Sequence, residues 1–560
     1  MTSRPVSRIV TSIGLIALLS GCEQEAAECS PCGTAIVALG AEPDALLPPV
    51  VHTQPGELAS DLLFQKLADI GPSLNTIGDA GFQPRLARSW KIEDSLTISF
   101  ELDPRAKWQD GVPVTAADVA FAFSVYRNPV IGANARSLLA LISSVTARDE
   151  RTAVFRFSKP YPEQFYDATY SMRIIPKHML DTVPISRLES HPFVRAPMVG
   201  NGPYRFVQWK AGASVQFAAD TTFFLGRPGL SNVVFNIASD VNTARALILA
   251  DQADLLNPIG TKDDVPQVTA LPQFRVELRQ SASFNYLAFN LHARKSRTRP
   301  HQVLGDREVR RAITLGVDRP ALIERMFGSD YARVPVGPLS RMTQLGNDST
   351  IPQLAYDTLR ARTTLETAGW RDTDGDGVRE RNGVKLQFEI IHPSSSNNRI
   401  RTVEILRDNL ARIGVRVIAK PVEFNSMRAA IPSGDFDAMF INWGEDPSPS
   451  GLRQIFTTSA IGESNVGGYS SPEFDNLVEQ AIATRDSGAA RARWREALAT
   501  VNGDAPGIWL YSPLEPTAIH RRYENVTTPP QQWLSTLWTW RVAAGQMIPR
   551  DRITPAPASP

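Results

Sequence analysis

Cysteine is almost missing from this chain: three residues in 560, all of them within the first 32. The body beyond residue 32 therefore has no disulfide framework and no thiolate metal site, and holds its fold by buried apolar area. Histidine is scarce, and the seven present (His52, His178, His191, His292, His301, His392, His520) are scattered without a His-Glu-x-x-His spacing, which removes the helical zinc-hydrolase pattern. An excess of either charge is lacking too, with 59 Lys and Arg against 58 Asp and Glu and a formal charge of +1. No stretch interleaves basic residues with aromatics as a nucleic-acid groove requires, so nucleic acid is excluded as a partner. There is no Gly-x-x-x-x-Gly-Lys-Ser/Thr phosphate cradle, no Gly-x-Ser-x-Gly nucleophile elbow, and no interior apolar run long enough to span a bilayer. What remains is a globular composition, 42% hydrophobic, 21% charged and 8% aromatic, in a chain of about three to four domain-sized units.

The N-terminus sets the compartment. Arg4 and Arg8 precede a short apolar stretch, Ile9 to Leu19, which reads as an export signal rather than a membrane span. Leu19-Ser20-Gly21-Cys22 follows, and it resembles the bacterial lipoprotein box, in which the cysteine is acylated and becomes the new N-terminus. Residues 1–21 are thus expected to be a signal peptide, 22–33 a lipidated tether on Cys22, and the mature chain to carry a charge of −1 once Arg4 and Arg8 are lost. Cys29 and Cys32, spaced Cys-Ser-Pro-Cys, can close a small disulfide in an oxidising envelope. No βαβ pattern surrounds them, as a thioredoxin-like redox pair would need.

From Thr34 the pattern alternates between short strands and helices. Strands are expected at 34–39, 95–102, 153–157, 202–208, 213–218, 284–290, 384–392, 415–422 and 438–443. Helices are expected from the Thr115–Asp118 capping box onward, at 241–250, across Arg307 to Phe327, and at 354–369, 399–413 and 424–432. This predicts α/β throughout, with a second α/β block from about Ser283, and a proline-rich tail from Pro549 without order. One segment imitates a calcium loop: Asp372-Thr-Asp374-Gly-Asp376-Gly377. Its twelfth position, which should be a bidentate Glu, is Gly383, so a tight Asp-Gly turn is expected and no metal site.

Several ordered stretches resemble the family 5 extracellular solute-binding proteins, the dipeptide and oligopeptide receptors of ABC importers. They are Phe82-Gln-Pro-Arg-Leu-Ala-Arg-Ser-Trp90, Lys107-Trp-Gln-Asp-Gly111 and Val114-Thr-Ala-Ala-Asp-Val119, then Gly200-Asn-Gly-Pro-Tyr-Arg205 and Tyr286-Leu-Ala-Phe-Asn290. Ser95 to Leu102, Trp209, Asp306 to Arg319, Ala368 to Glu380 and Phe436 to Trp443 complete the set. The resemblance implies a type II periplasmic-binding-protein-like fold of two lobes, a hinge and an interlobe cleft. Lobe 1 would comprise 34–275 plus 505–545, with an extra subdomain at about 60–190. Lobe 2 would be 276–504, and 546–560 a disordered tail. It further implies a monomeric, cofactor-free, non-enzymatic receptor that gives a peptide-like solute to permease subunits, held to the envelope membrane by its lipid alone. Nickel chelates, oligosaccharides and opines are alternative solutes, and a hydrolase with converged carboxylates is the alternative class. In peptide-binding members an aspartate near this position meets the ligand's amino group. Here that implies Asp446, or its neighbour Glu445, with Trp443, Gly444, Tyr286 and Glu42 as cleft candidates.

Overall fold

The computed structural model describes residues 1, 32–131, 138–394, 396–444, 446–462 and 464–552. Thr34–Leu39 is an unbroken apolar run because it lies inside a sheet, parallel to Asn232–Ile237 on one side and Leu255–Leu256 on the other. The antiparallel hairpin Tyr204–Lys210 and Ser214–Ala219 extends this group through Asn232–Ile237. A second group runs Arg416–Val422, Gln387–Pro393, Ala438–Gly444, Ser283–Phe289. In Ser283–Phe289 the two-residue period sends Phe284, Tyr286 and Ala288 into one apolar cluster and Leu287 and Phe289 into another, so the second lobe is packed on both faces of its sheet.

One long strand joins the groups. Gly507–His520 pairs through Gly507–Tyr511 with Asn285–Ala288, and through Leu514–His520 with Phe274–Gln280. The lobes are therefore connected at Ser281–Ala282 and at Ser512–Pro513. Both connections lie later than the expected boundaries at 275 and 505, and the second falls where Ser512, Pro513, Glu515 and Pro516 interrupt the apolar pattern of the strand. A separate four-stranded sheet, Ala87–Asp94, Thr97–Leu102, Thr152–Phe157 and Ile142–Ala147, forms the subdomain and shares a continuous core with the first lobe. Its helix Ala116–Arg127 starts where Asp118 accepts from the Thr115 amide and hydroxyl at 2.8 and 2.9 Å.

Two expectations are corrected. The helix across Arg307 to Phe327 is two, Arg307–Leu315 and Arg319–Met326, because Pro320 cannot continue a hydrogen-bond ladder and Asp318 caps the second at the Ala321 amide, 3.0 Å away. The tail is ordered at least through Pro549–Arg552, a single 3-10 turn. Its Asp551 reaches the fully buried Arg522 at 2.5 Å and accepts from the Thr34 amide at 2.9 Å. At the Asp-Gly turn, Asp372 accepts from the Gly375 and Gly377 amides at 2.8 and 3.0 Å. The Lys385 ammonium lies 2.8 and 2.5 Å from Asp374 and Asp376, so a lysine occupies the place between these carboxylates.

Candidate functional site

The first lobe offers the cleft a charged, aromatic wall. Helix Gln54–Leu63 is capped by Thr53, and it carries Glu57 and Asp61 one turn apart on a shared face. Asp61 pairs with Arg173 at 2.6 Å, both side chains being less than a tenth exposed. Arg173 forms an isolated bridge with Lys66, whose ammonium donates to Gln532 Oε1 at 3.0 Å and lies 4.7 Å from the ring centre of Tyr170. Tyr170 stacks on Tyr166 at 4.6 Å and 20°, both at helix Gln164–Thr169. Burial, with Arg173 adding to it, brings Lys66 down to about 8. A cavity of about 350 Å³ opens beside Lys66 and Tyr170, walled by Ile70, Pro72, Pro529 and Pro530.

The second lobe delivers a carboxylate to this wall. Strand Ala438–Gly444 is buried for its first three residues, then opens, and Asp446 lies just past its end. Water reaches the Asp446 side chain, yet protein surrounds it closely enough that burial raises its carboxyl to about 6; Glu57 adds to the rise and Lys66 opposes it. Its negative charge is felt by the phenols of Tyr166 and Tyr170, which burial has already raised well above 10. Among the described residues no hydrogen bond or ion pair engages the Asp446 or Glu57 carboxylate. Asp61 is answered by Arg173, so Asp446 and Glu57 are carboxylates of this wall that face Lys66 without an ion pair among the described residues. Such a seat is suited to a single cationic group brought by a solute.

The other expected residues fall differently. Trp443 is half-buried against the second-lobe core, opposite Phe284, and Gly444 is exposed, opposite Ser283, where a Cβ would meet nothing. Tyr286 is 1% exposed and packs on Phe284, Phe456 and Trp509. It is an interior residue rather than a cleft wall, because strand alternation places it on the face of Phe284 and Ala288. Glu42 is occupied within its own lobe, accepting from Trp209 Nε1 at 2.7 Å and the Gly212 amide at 3.1 Å. Glu445, Cys22 and Cys29 lie outside the described residues; Cys32 is buried, its amide donating to Gly229 O at 3.1 Å. Sequence reasoning missed Glu57, Asp61, Lys66 and Arg173. A signal was present in two of them, since Lys66 and Arg173 each stand inside an apolar run.

Residues 81–463 match the family described as bacterial extracellular solute-binding proteins, family 5. The chain belongs to this family. The oligopeptide-binding protein AppA of Bacillus subtilis is 27% identical over 466 residues, 82% of this chain and 83% of that protein. Heme-binding protein A of Haemophilus influenzae is 25% identical over 475 residues, 78% and 81% of the two chains. Among solved structures, AppA of Bacillus subtilis with a nonapeptide superposes with a TM-score of 0.76 at 25% identity, over 92% of this chain and all of that one. NikZ of Campylobacter jejuni with Ni(L-His) does so with a TM-score of 0.74 at 23% identity, over 91% and 99%.

As a family 5 solute-binding protein it has the two-lobed fold of its neighbours, and the relatives it matches are binding proteins rather than enzymes. Their names span peptide, heme and a nickel complex, so membership alone leaves the solute to be read from this chain's own cleft. No helix among the described residues is long and apolar enough to cross a membrane.

Proposed function

We propose that this protein is the substrate-binding lipoprotein of an ABC importer, anchored outside the cytoplasmic membrane through Cys22, that takes a peptide-like solute between its lobes for delivery to a permease. Asp446 carries the reading: a cleft carboxylate with no partner among the described residues, beside a second carboxylate, Glu57, matches the ammonium of a free peptide N-terminus. The apolar cavity beside Lys66 and Tyr170 supports it by offering room for a side chain, while the Lys66 charge disfavours a second cation there. Capture needs no nucleophile or general base, so the solute is returned intact.

Mass spectrometry of whatever co-purifies, followed by calorimetry with that solute, tests the proposal. Peptides with free amino termini are the expected finding. Acetylating the amine should weaken binding by about thirtyfold or more, the usual loss when one partner of a buried charge pair is removed. Equal affinity for free and acetylated peptide would refute the ammonium seat, and steady hydrolysis of the peptide would refute the receptor role.

A further inference from the structure

Two residues beyond Asp446 the second lobe reaches into the first. Ser448 Oγ lies 2.7 and 2.8 Å from the two carboxylate oxygens of Glu163, a residue 285 positions away that directly precedes the helix bearing Tyr166. On its own side Glu163 accepts from Thr76 Oγ1 at 2.6 Å. The Ser450 amide donates to Ser448 Oγ at 3.0 Å, and the Ser450 hydroxyl lies 2.6 Å from that oxygen, where either hydroxyl can donate to the other. Glu163, Ser448 and Thr76 are only 8, 4 and 5% exposed. A carboxylate this dry is costly unless its oxygens are satisfied, and here Thr76 answers it from its own lobe while Ser448, with Ser450 beside it, answers from the opposite one. Separating the lobes removes Ser448 and readmits water, so the bond belongs to the closed arrangement and favours it over the open one.

We propose that Glu163 is a positioning residue which, through Ser448, latches the lobes together and holds the Asp446 loop over the solute. The proposal rests on the reading of the cleft as the solute site. Glu163 acts through the Asp446-Pro447-Ser448 segment, and the fixed φ of Pro447 keeps that connection short and stiff, so that a displacement at 448 is passed to 446. Closure around solute and formation of the latch are then one event: each stabilises the other.

Calorimetry and dissociation kinetics with tri-alanine, together with X-ray solution scattering of the empty protein, test this on S448A, E163A, E163Q and the double variant S448A/E163A. A hydrogen bond to a charged acceptor that exists only in the closed state predicts about ten- to a hundredfold weaker binding in S448A and E163A, mostly through faster release. The double variant should be little worse than either single one. E163Q, whose amide oxygen still accepts from Ser448, should recover most of the loss. T76V removes a bond made within one lobe, and should lower the melting temperature without a comparable loss of affinity. Loss of the latch should also raise the radius of gyration of the empty protein. If S448A and E163A match the wild type in affinity, release rate and radius of gyration, the latch is wrong. If D446N loses tri-alanine while S448A and E163A keep it, the ammonium seat stands and the latch falls. If the wild type does not bind tri-alanine, the peptide reading falls and scattering decides alone, an unchanged radius overturning the latch. Should E163A fold poorly, S448A carries the same test with a smaller change.

Discussion

Replacing Asp551 by alanine should cost the first lobe much of its stability, although the residue lies only nine positions before Pro560. Arg522, with no exposed side-chain surface, donates Nε to Asp254 at 3.0 Å, Nη1 to Asp551 at 2.5 Å and Nη2 to the Thr34 carbonyl at 2.6 Å. Arg550 completes the group at 2.5 Å from Asp254, so two cations meet two anions and the node is neutral. Without Asp551 one buried positive charge is uncompensated, and the Thr34 and Ile548 amides, each 2.9 Å from its oxygens, lose their acceptor. Breaking one side of a buried ion pair costs about 3–5 kcal/mol, and orphaned amides push toward the upper end of that range. At about 2–4 °C per kcal/mol, the first-lobe transition should fall by about 6–20 °C in scanning calorimetry at neutral pH. Burial alone would raise the Asp551 carboxyl, but Arg522 and the two amides outweigh it and hold the group below the usual carboxylate range. A depressed carboxylate stabilises above its unfolded pKa and loses that contribution as pH falls through the folded one, so the wild type and D551A should converge in acid. A variant melting within about 2 °C of the wild type at neutral pH would show that the node does not hold the lobe as reasoned.

Asp446→Asn should weaken peptide binding by about thirtyfold or more yet leave the empty protein as stable or slightly more so, since it removes a carboxylate whose ionised form is already disfavoured; calorimetry and melting curves on one preparation check both. In the wild type, affinity should fall as pH drops below about 6, by up to about tenfold per unit, because protonated Asp446 cannot pair with an ammonium, and D446N should flatten that profile. Melting curves in calcium and in chelator should coincide, since Lys385 already lies between Asp374 and Asp376; a shift lost on D374A would contradict this. Cys22→Ser should yield unprocessed precursor or soluble protein, and acylation persisting in that variant, read by mass spectrometry, would refute the anchor.

Local chemistry made much of the fold legible. The run Thr34–Leu39, the hairpin around Gly212, the Thr115–Asp118 capping box and the Asp-Gly turn each declare themselves within a few residues, and each lies where its pattern predicts. The seat of Asp446 at the end of a buried strand was approachable for the same reason. Contacts between distant segments were not. Periodicity says that Tyr286 is buried on one face of a strand, but it cannot say whether that face meets a cleft or a core. Lys66, Asp61 and Arg173 acquire meaning only from one another, and Arg173 lies more than a hundred positions from both partners. Proline content suggested a loose tail, while one aspartate within it answers a buried arginine that composition does not reveal.

The strand Gly507–His520 bears on whether the lobes can exist apart. A fragment ending at 504 would lack the strand that covers one side of Ser283–Phe289. The exposed edge would run along Asn285–Ala288, with the amides and carbonyls that face it unpaired, a template for adding strands from other copies. The first lobe cut before 507 would lose the partner of Phe274–Gln280 in the same stroke. Each half is thus an aggregation hazard without the other. Proteolysis between the lobes should therefore yield two aggregating pieces rather than two independent domains.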